Sequence, residues 1–145
     1  MAKHMTWTLQ AQILLVAHDS SPPSDDEWQA WLREFERCAP SAQAMLVYST
    51  GGGPTSSQRK ELLAVIARLD RVPRVVIVTS SNLMRGLATA VGWFLAAERR
   101  PTMFAVDEMA KALEFLKVEP AARPAIKAEL ARLAASLTFV TKAAV

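Results

Sequence analysis

"AMLVYSTGGGPTSSQRKELLAVIARLDRVPRVVIVTSSN", residues 44–82, decides the fold class. It opens on a short apolar run (44–49), passes through three glycines and a proline, and resumes with Leu62, Leu63, Ile66 and Leu69 at helical spacing. It closes on "RVVIVTSSN" (74–82), β-branched and ending in residues that cap helices. Continuous apolar runs of this length are the pattern of strands buried on both faces. Thr55 and Gln58 stand at capping-box spacing, so a helix starts directly after the glycines. Strand, helix and strand in that order make a parallel pair joined by a right-handed crossover.

The same alternation extends in both directions. Upstream, "TWTLQAQILLVA" (6–17) begins with alternating apolar residues and passes into a continuous apolar run, which predicts one edge-to-core strand or two short ones. Ser24 and Glu27 form a second capping-box signature, with Asp25 and Asp26 in the first turn, and Trp28, Trp31, Leu32 and Phe35 follow the i, i+3, i+4, i+7 rule. Downstream come an apolar helix over 83–97, a strand at 102–106 and a short helix N-capped by Asp107 that carries Met109, Leu113 and Leu116. Pro124 then opens a helix with Ile126, Leu130, Leu133, Leu137 and Val140 spaced 4, 3, 4, 3. The expectation is a single α/β domain with a four- to five-stranded, mostly parallel or mixed sheet, about four helices and a C-terminal amphipathic helix.

Composition narrows the function classes. The 145 residues are 51% hydrophobic and 21% charged, which suits one packed domain rather than a disordered chain. The 17 basic and 14 acidic side chains give +3, and the densest basic cluster is Arg99-Arg100, too small to displace several counterions from a nucleic acid. A single cysteine, Cys38, provides neither a disulfide nor a thiolate zinc site and fits a cytoplasmic location. No apolar stretch approaches the ~20 residues of a membrane span. The opening "MAKHM" contains the His-Met of a common cloning site, so residues 1–4 read as vector-derived and Met5 as the natural start.

The glycine loop has three readings: a phosphate cradle, a phosphoacceptor, or a turn from strand to helix. A nucleotide cradle requires a lysine followed by Ser or Thr at the helix start, and "GGGPTSSQRK" has none there. Ser57, with Ser56 beside it, lies in the first turn of the helix, where free N–H groups and the helix dipole favour an added phosphate. As a plain turn, the triple glycine is expected to be mobile and tolerant of substitution.

Other residues weigh against catalysis. His18, Asp19 and Ser20 are adjacent, but neighbours in sequence do not make a triad and no nucleophile elbow is present; a turn ending the strand accounts for them. Trp28 and Trp31 read as core because they share a face with Leu32 and Phe35. The 83–97 helix is apolar nearly all round, so part of it must meet the C-terminal helix, a second subunit or an apolar ligand. An interaction surface through Trp93, Phe94, Leu130 and Leu137 would make a homodimer. A ligand cavity would instead draw on Leu83, Leu87, Val91 and Phe94.

The order of strand, acid-capped helix, strand and Ser-rich loop with helix, followed by "VVIVTSSNLMRGLATAVGWF" and "TMFAVDEMAKALEFL", resembles a STAS-like domain. The likeness is to the divergent bacterial group related to anti-sigma-factor antagonists and to the CRAL-TRIO lipid-binding proteins. It covers residues 6–117 and leaves 118–145 as a C-terminal helix packing on the domain or on a partner subunit. In the antagonists an Asp-Ser-Ser-Gly motif carries the phosphorylated serine; here "TSSQ" would place that acceptor at Ser57, with Thr55 and Gln58 departing from the pattern. The resemblance implies a non-enzymatic, cofactor-free regulatory module that binds a protein partner. The lipid-binding relatives imply the alternative, a carrier of a small apolar ligand.

Overall fold

The computed structural model describes residues 3–137. Five strands form one mixed sheet in the order β1-β2-β3-β4-β5. β1 (Met5–Gln10) and β2 (Ile13–His18) are an antiparallel hairpin, and β2, β3 (Ala44–Ser49), β4 (Arg74–Thr79) and β5 (Thr102–Phe104) run parallel. Ala11 and Gln12 form the hairpin turn with φ of 52° and 64°, the left-handed conformation that two-residue hairpins require. That turn resolves the 6–17 run into two strands.

Three helices link the parallel strands: α1 (Asp25–Cys38), α2 (Ser56–Arg68) and α3 (Asn82–Gly92). Strands that follow one another in sheet order, joined by right-handed crossovers, place all their helices on one face. Accordingly Trp28, Trp31, Leu32 and Phe35 of α1, Val65 and Ile66 of α2, and Met84 and Ala88 of α3 share a core with Leu14, Val16, Met45, Val47 and Ile77 of the strands. Trp28, Trp31 and Phe35 pack in series, with ring centroids 4.9 and 5.3 Å apart. Both capping boxes form, Ser24 with Glu27 and Thr55 with Gln58.

The opposite face is covered after β5 by α4 (Met109–Phe115) and α5 (Arg123–Ala135). Ala112, Leu113, Ile126, Leu130, Leu133 and Leu137 bury Leu15, Leu46, Val76 and Val78. Thr6 Oγ1 donates to the Leu133 carbonyl at 3.0 Å, tying β1 to α5. Leu130 and Leu137, expected on an interaction surface, are therefore buried against the chain's own sheet. Their 4, 3 spacing serves a helix lying on a sheet as well as one lying on another helix. Val140, the last member of that stripe, lies outside the described residues.

Three further boundaries differ from expectation. The helix predicted over 83–97 stops at Gly92, and Arg100 reaches back so that its Nε donates to the Gly92 carbonyl at 3.0 Å. The last parallel strand is three residues long rather than five. Asp107 is not the N-cap of α4: a 3₁₀ turn (Val106–Glu108) precedes it, and the Glu108 carboxylate accepts from the Ala105 N–H at 2.8 Å.

The glycine loop is anchored rather than free. Ser49 Oγ donates to the Gly52 carbonyl at 2.8 Å, the Gly52 N–H donates to the Asp19 carbonyl at 3.0 Å, and Ser81 Oγ donates to the Gly51 carbonyl at 3.0 Å. No glycine has positive φ, so the constraint is space: a Cβ on Gly52 would fall 2.5 Å from the Ser20 carbonyl carbon and 2.6 Å from its oxygen. Gly52→Ala should therefore cost about 2 kcal/mol or more, an overpacking penalty against backbone. Gly86 is exposed in mid-helix, and a Cβ there would meet nothing within 4 Å, so Gly86→Ala should gain up to about 1 kcal/mol. Urea denaturation midpoints of the two variants check this opposition in sign.

Candidate functional site

The carboxyl ends of the parallel strands carry a row of polar side chains: His18 and Asp19 at β2, Ser49 at β3 and Thr79 at β4, all buried. Most of this row holds the loops. Thr79 Oγ1 donates to the Ser49 carbonyl at 2.9 Å and accepts from the Ser81 N–H at 3.0 Å, and Ser49 Oγ also accepts from the Gly51 N–H at 3.3 Å. Asp19 accepts from the Ser21 N–H at 2.8 Å through one oxygen and lies 2.7 Å from His4 Nδ1 through the other. The amides of Gly51 and Gly52 are thus already engaged. At the start of α2, Gln58 closes the capping box and its amide nitrogen also donates to the Pro23 carbonyl and to Asp25. The loop is a locked connection between strand and helix, with Ser56 and Ser57 exposed on its far side.

His18 stands apart from this network. It follows Leu14 and Val16 on the face covered by α1, α2 and α3, and it lines a half-open cavity of about 100 Å³ between that helical layer and the sheet. Trp28, Trp31 and Phe35 of α1, Arg59, Leu62 and Ile66 of α2, and Met84, Leu87, Ala88 and Val91 of α3 complete most of the wall. The cavity follows from what each helix presents. Toward the sheet α1 turns two tryptophans and a phenylalanine, whereas α3 buries Met84, Ala88 and Gly92. Among the α3 residues on this wall, Ala88 offers only a methyl group beside the larger Met84, Leu87 and Val91, which leaves space at its position.

Sequence reasoning expected four residues around such a cavity. Leu87 and Val91 line it. Leu83 and Phe94 do not belong to its wall; they are 64% and 76% exposed, and Trp93 is 74% exposed beside Phe94. His18, Trp28 and Trp31 are the residues the sequence reading did not place there. The signal for His18 was available in the alternation Leu14, Val16, His18, which sets it on the same face as the two tryptophans.

Burial lowers the His18 pKa to about 4, with the charges of Asp19 and Glu27 opposing that shift only in part. Among the described residues the buried side-chain nitrogens without a hydrogen-bond partner are His18 Nδ1, Trp28 Nε1 and Trp31 Nε1. Cys38 is buried and donates to Glu34 at 3.3 Å; desolvation first, and then that hydrogen bond, push its thiol pKa up, so it is a poor nucleophile. Arg99 and Arg100 are spent on backbone carbonyls, Arg99 on Ile66 and Leu69 and Arg100 on Gly92 and Leu95. No group of three or more His, Cys, Asp or Glu among the described residues could hold a metal ion, and no described helix is long and apolar enough to cross a membrane.

What these features define is a five-stranded mixed α/β domain with an apolar cavity under one helical layer. Comparison with family models, curated proteins and solved structures finds no match for this chain.

The depressed His18 pKa fixes a pH dependence. The unfolded chain binds a proton near pH 6.5 that the folded chain refuses until about pH 4, so stability is full above that window and falls as the pH drops through it. Over the whole interval the loss is about 3 kcal/mol. Burial acts most strongly on Glu27 and would raise its pKa, but hydrogen bonds from the Ser24, His4 and Met5 backbone and from the Ser24 side chain together hold it below its ordinary value, so it adds a loss as the pH falls through 4.5 and below. Urea denaturation at pH 7 and pH 4.5 should show a steeper decline for wild type than for His18→Phe; parallel declines would contradict a buried neutral imidazole.

Proposed function

We propose that this chain binds a small apolar ligand in the cavity beneath α3 and has no catalytic activity of its own. The observation that supports this reading is the cavity itself: aliphatic and aromatic over nearly all its wall, half-open, and of a size suited to a single ring or a short aliphatic chain. A packed interior of this size ordinarily holds no such space beneath a helix. The neighbouring polar row of described residues is absorbed in fixing loops, and no base and nucleophile of that row are hydrogen-bonded to each other. The STAS-like resemblance, through its lipid-binding branch, points the same way.

A second reading, a regulatory module that docks a protein partner or a second copy of itself, draws on a different observation. Leu83, Trp93 and Phe94 are the most exposed large apolar side chains among the described residues, all on α3 or just after it, and exposed aromatics of this kind anchor interfaces. Ser57 and Ser56, exposed at the first turn of α2, would be accessible to a kinase in that scheme.

The ligand reading is tested by isothermal titration with ethylbenzene. Wild type should bind one equivalent saturably, and Ala88→Leu, which fills the cavity from α3 while keeping the far-ultraviolet circular dichroism of the wild type, should not. Absence of saturable binding in wild type, or equal binding in both, would remove it.

A further inference from the structure

The two edges of the sheet differ in kind. β5 is three residues long and enters directly from Pro101, and a short edge beside a proline offers little to a second strand. β1 is six residues long, Met-Thr-Trp-Thr-Leu-Gln, with no charge, no proline and no break in its register from Met5–His18 to Gln10–Ile13. It carries none of the devices that keep an open edge from pairing with another chain. α5 meets β1 on a face of the sheet, through Thr6 and the Leu133 carbonyl.

The alternation of an antiparallel ladder tells which backbone groups are free. The Asp19 N–H donates to the His4 carbonyl at 3.1 Å, so Thr6, Thr8 and Gln10 turn their backbone groups toward β2, and Met5, Trp7 and Leu9 turn theirs to the open side. The Met5 N–H donates to the Glu27 carboxylate at 3.2 Å. Among the described residues, no hydrogen bond takes up the outward N–H and C=O of Trp7 or of Leu9. These groups lie symmetrically about Thr8, as a two-fold axis through that residue requires. With the axis there, each Trp7 stands opposite Leu9 of the second copy and exchanges both N–H···O bonds with it. The side chains agree with this register. Trp7 packs at the margin of the core shared with α1, Leu9 follows it on the same face and is 41% exposed, and the pairing lays each Leu9 against the other copy's Trp7.

We propose that a second copy of this chain pairs antiparallel along β1, Thr8 facing Thr8, so that one sheet runs continuously through a two-fold dimer. No charged side chain stands on the strand, so the axis brings no like charges of β1 together. This interface is separate from the exposed Leu83, Trp93 and Phe94, because α3 joins β4 to β5 at the other side of the sheet. It is independent of whether the cavity holds a ligand.

Light scattering on wild type should give a dimer mass that falls toward the monomer on dilution. Leu9→Pro removes an outward donor that the β1–β2 ladder does not use, at an edge position where proline is tolerated, so it should weaken association at least about ten-fold with unchanged far-ultraviolet circular dichroism. Cysteines in a Cys38→Ala background read the register separately, and they decide alone if Leu9→Pro unfolds. Thr8→Cys puts its two copies in a non-hydrogen-bonded pair with Cα atoms about 4.5 Å apart, within disulfide reach, and should give a covalent dimer on mild oxidation. Gln10→Cys, on the same face, stands opposite Thr6 of the second copy and should not. Wild type that is monomeric at every concentration, a dimer that folded Leu9→Pro retains, or cross-linking no greater at Thr8→Cys than at Gln10→Cys overturns the proposal.

Discussion

The handedness of three consecutive crossovers governs this molecule. Because β2, β3, β4 and β5 follow one another in both sequence and sheet order, α1, α2 and α3 are confined to one face. The other face is then an uncovered apolar surface of Leu15, Leu46, Val76 and Val78, and a sheet of such strands needs covering on both sides. The chain meets that need only after β5, with α4 and α5. The apolar stripe of the C-terminal helix is thus consumed within the domain. A seam between subunits would have to displace Ile126, Leu130 and Leu133 from a core in which they are fully or almost fully buried.

The same constraint locates the candidate site. Parallel strands bring their carboxyl ends together, and each connection leaving that edge must enter a helix on the same face. The chain secures these turns with side-chain oxygens from the strand ends: Ser49 to Gly52, Thr79 to Ser49, and Ser81 to Gly51. Gly52 is the residue that lets two of these loops approach within backbone contact. With the edge so fixed, the positions of α1, α2 and α3 over the sheet are set, and the space at Ala88 becomes a cavity rather than a collapse. His18 is the one strand-end side chain that faces into this space.

How far the sequence alone reaches can be judged element by element. The caps at Ser24 and Thr55, the stripe Trp28, Trp31, Leu32 and Phe35, and the β-branched run at 75–79 each combine a periodic pattern with a local chemical signal, and each forms where that combination places it. The end of α3 was not legible because Trp93, Phe94 and Leu95 continue the apolar pattern past Gly92. There the chain tightens into turns, and the Gly92 carbonyl accepts from the Leu95 N–H and from Arg100, a residue eight positions on. The role of Gly52 was hidden for a related reason. A triple glycine reads as slack, and only the approach of the β2 loop, some thirty residues earlier in the chain, turns one of the three into a requirement. The cavity required knowing which residues α3 turns inward. Its helical pattern is apolar nearly all round, so periodicity does not distinguish Ala88 from Leu83 as the residue facing the sheet.

Ligand binding of this kind requires the space between α3 and the sheet to be a persistent, apolar cavity. A crystal of the protein pressurised with xenon measures this directly, since xenon enters dry cavities of this scale. The expected result is an ordered xenon peak bounded by Phe35, Val47, Leu87, Ala88 and Val91, with α3 undisplaced. No xenon at that position, together with Met84 and Leu87 packed directly onto Val47 and Ile77, would contradict it.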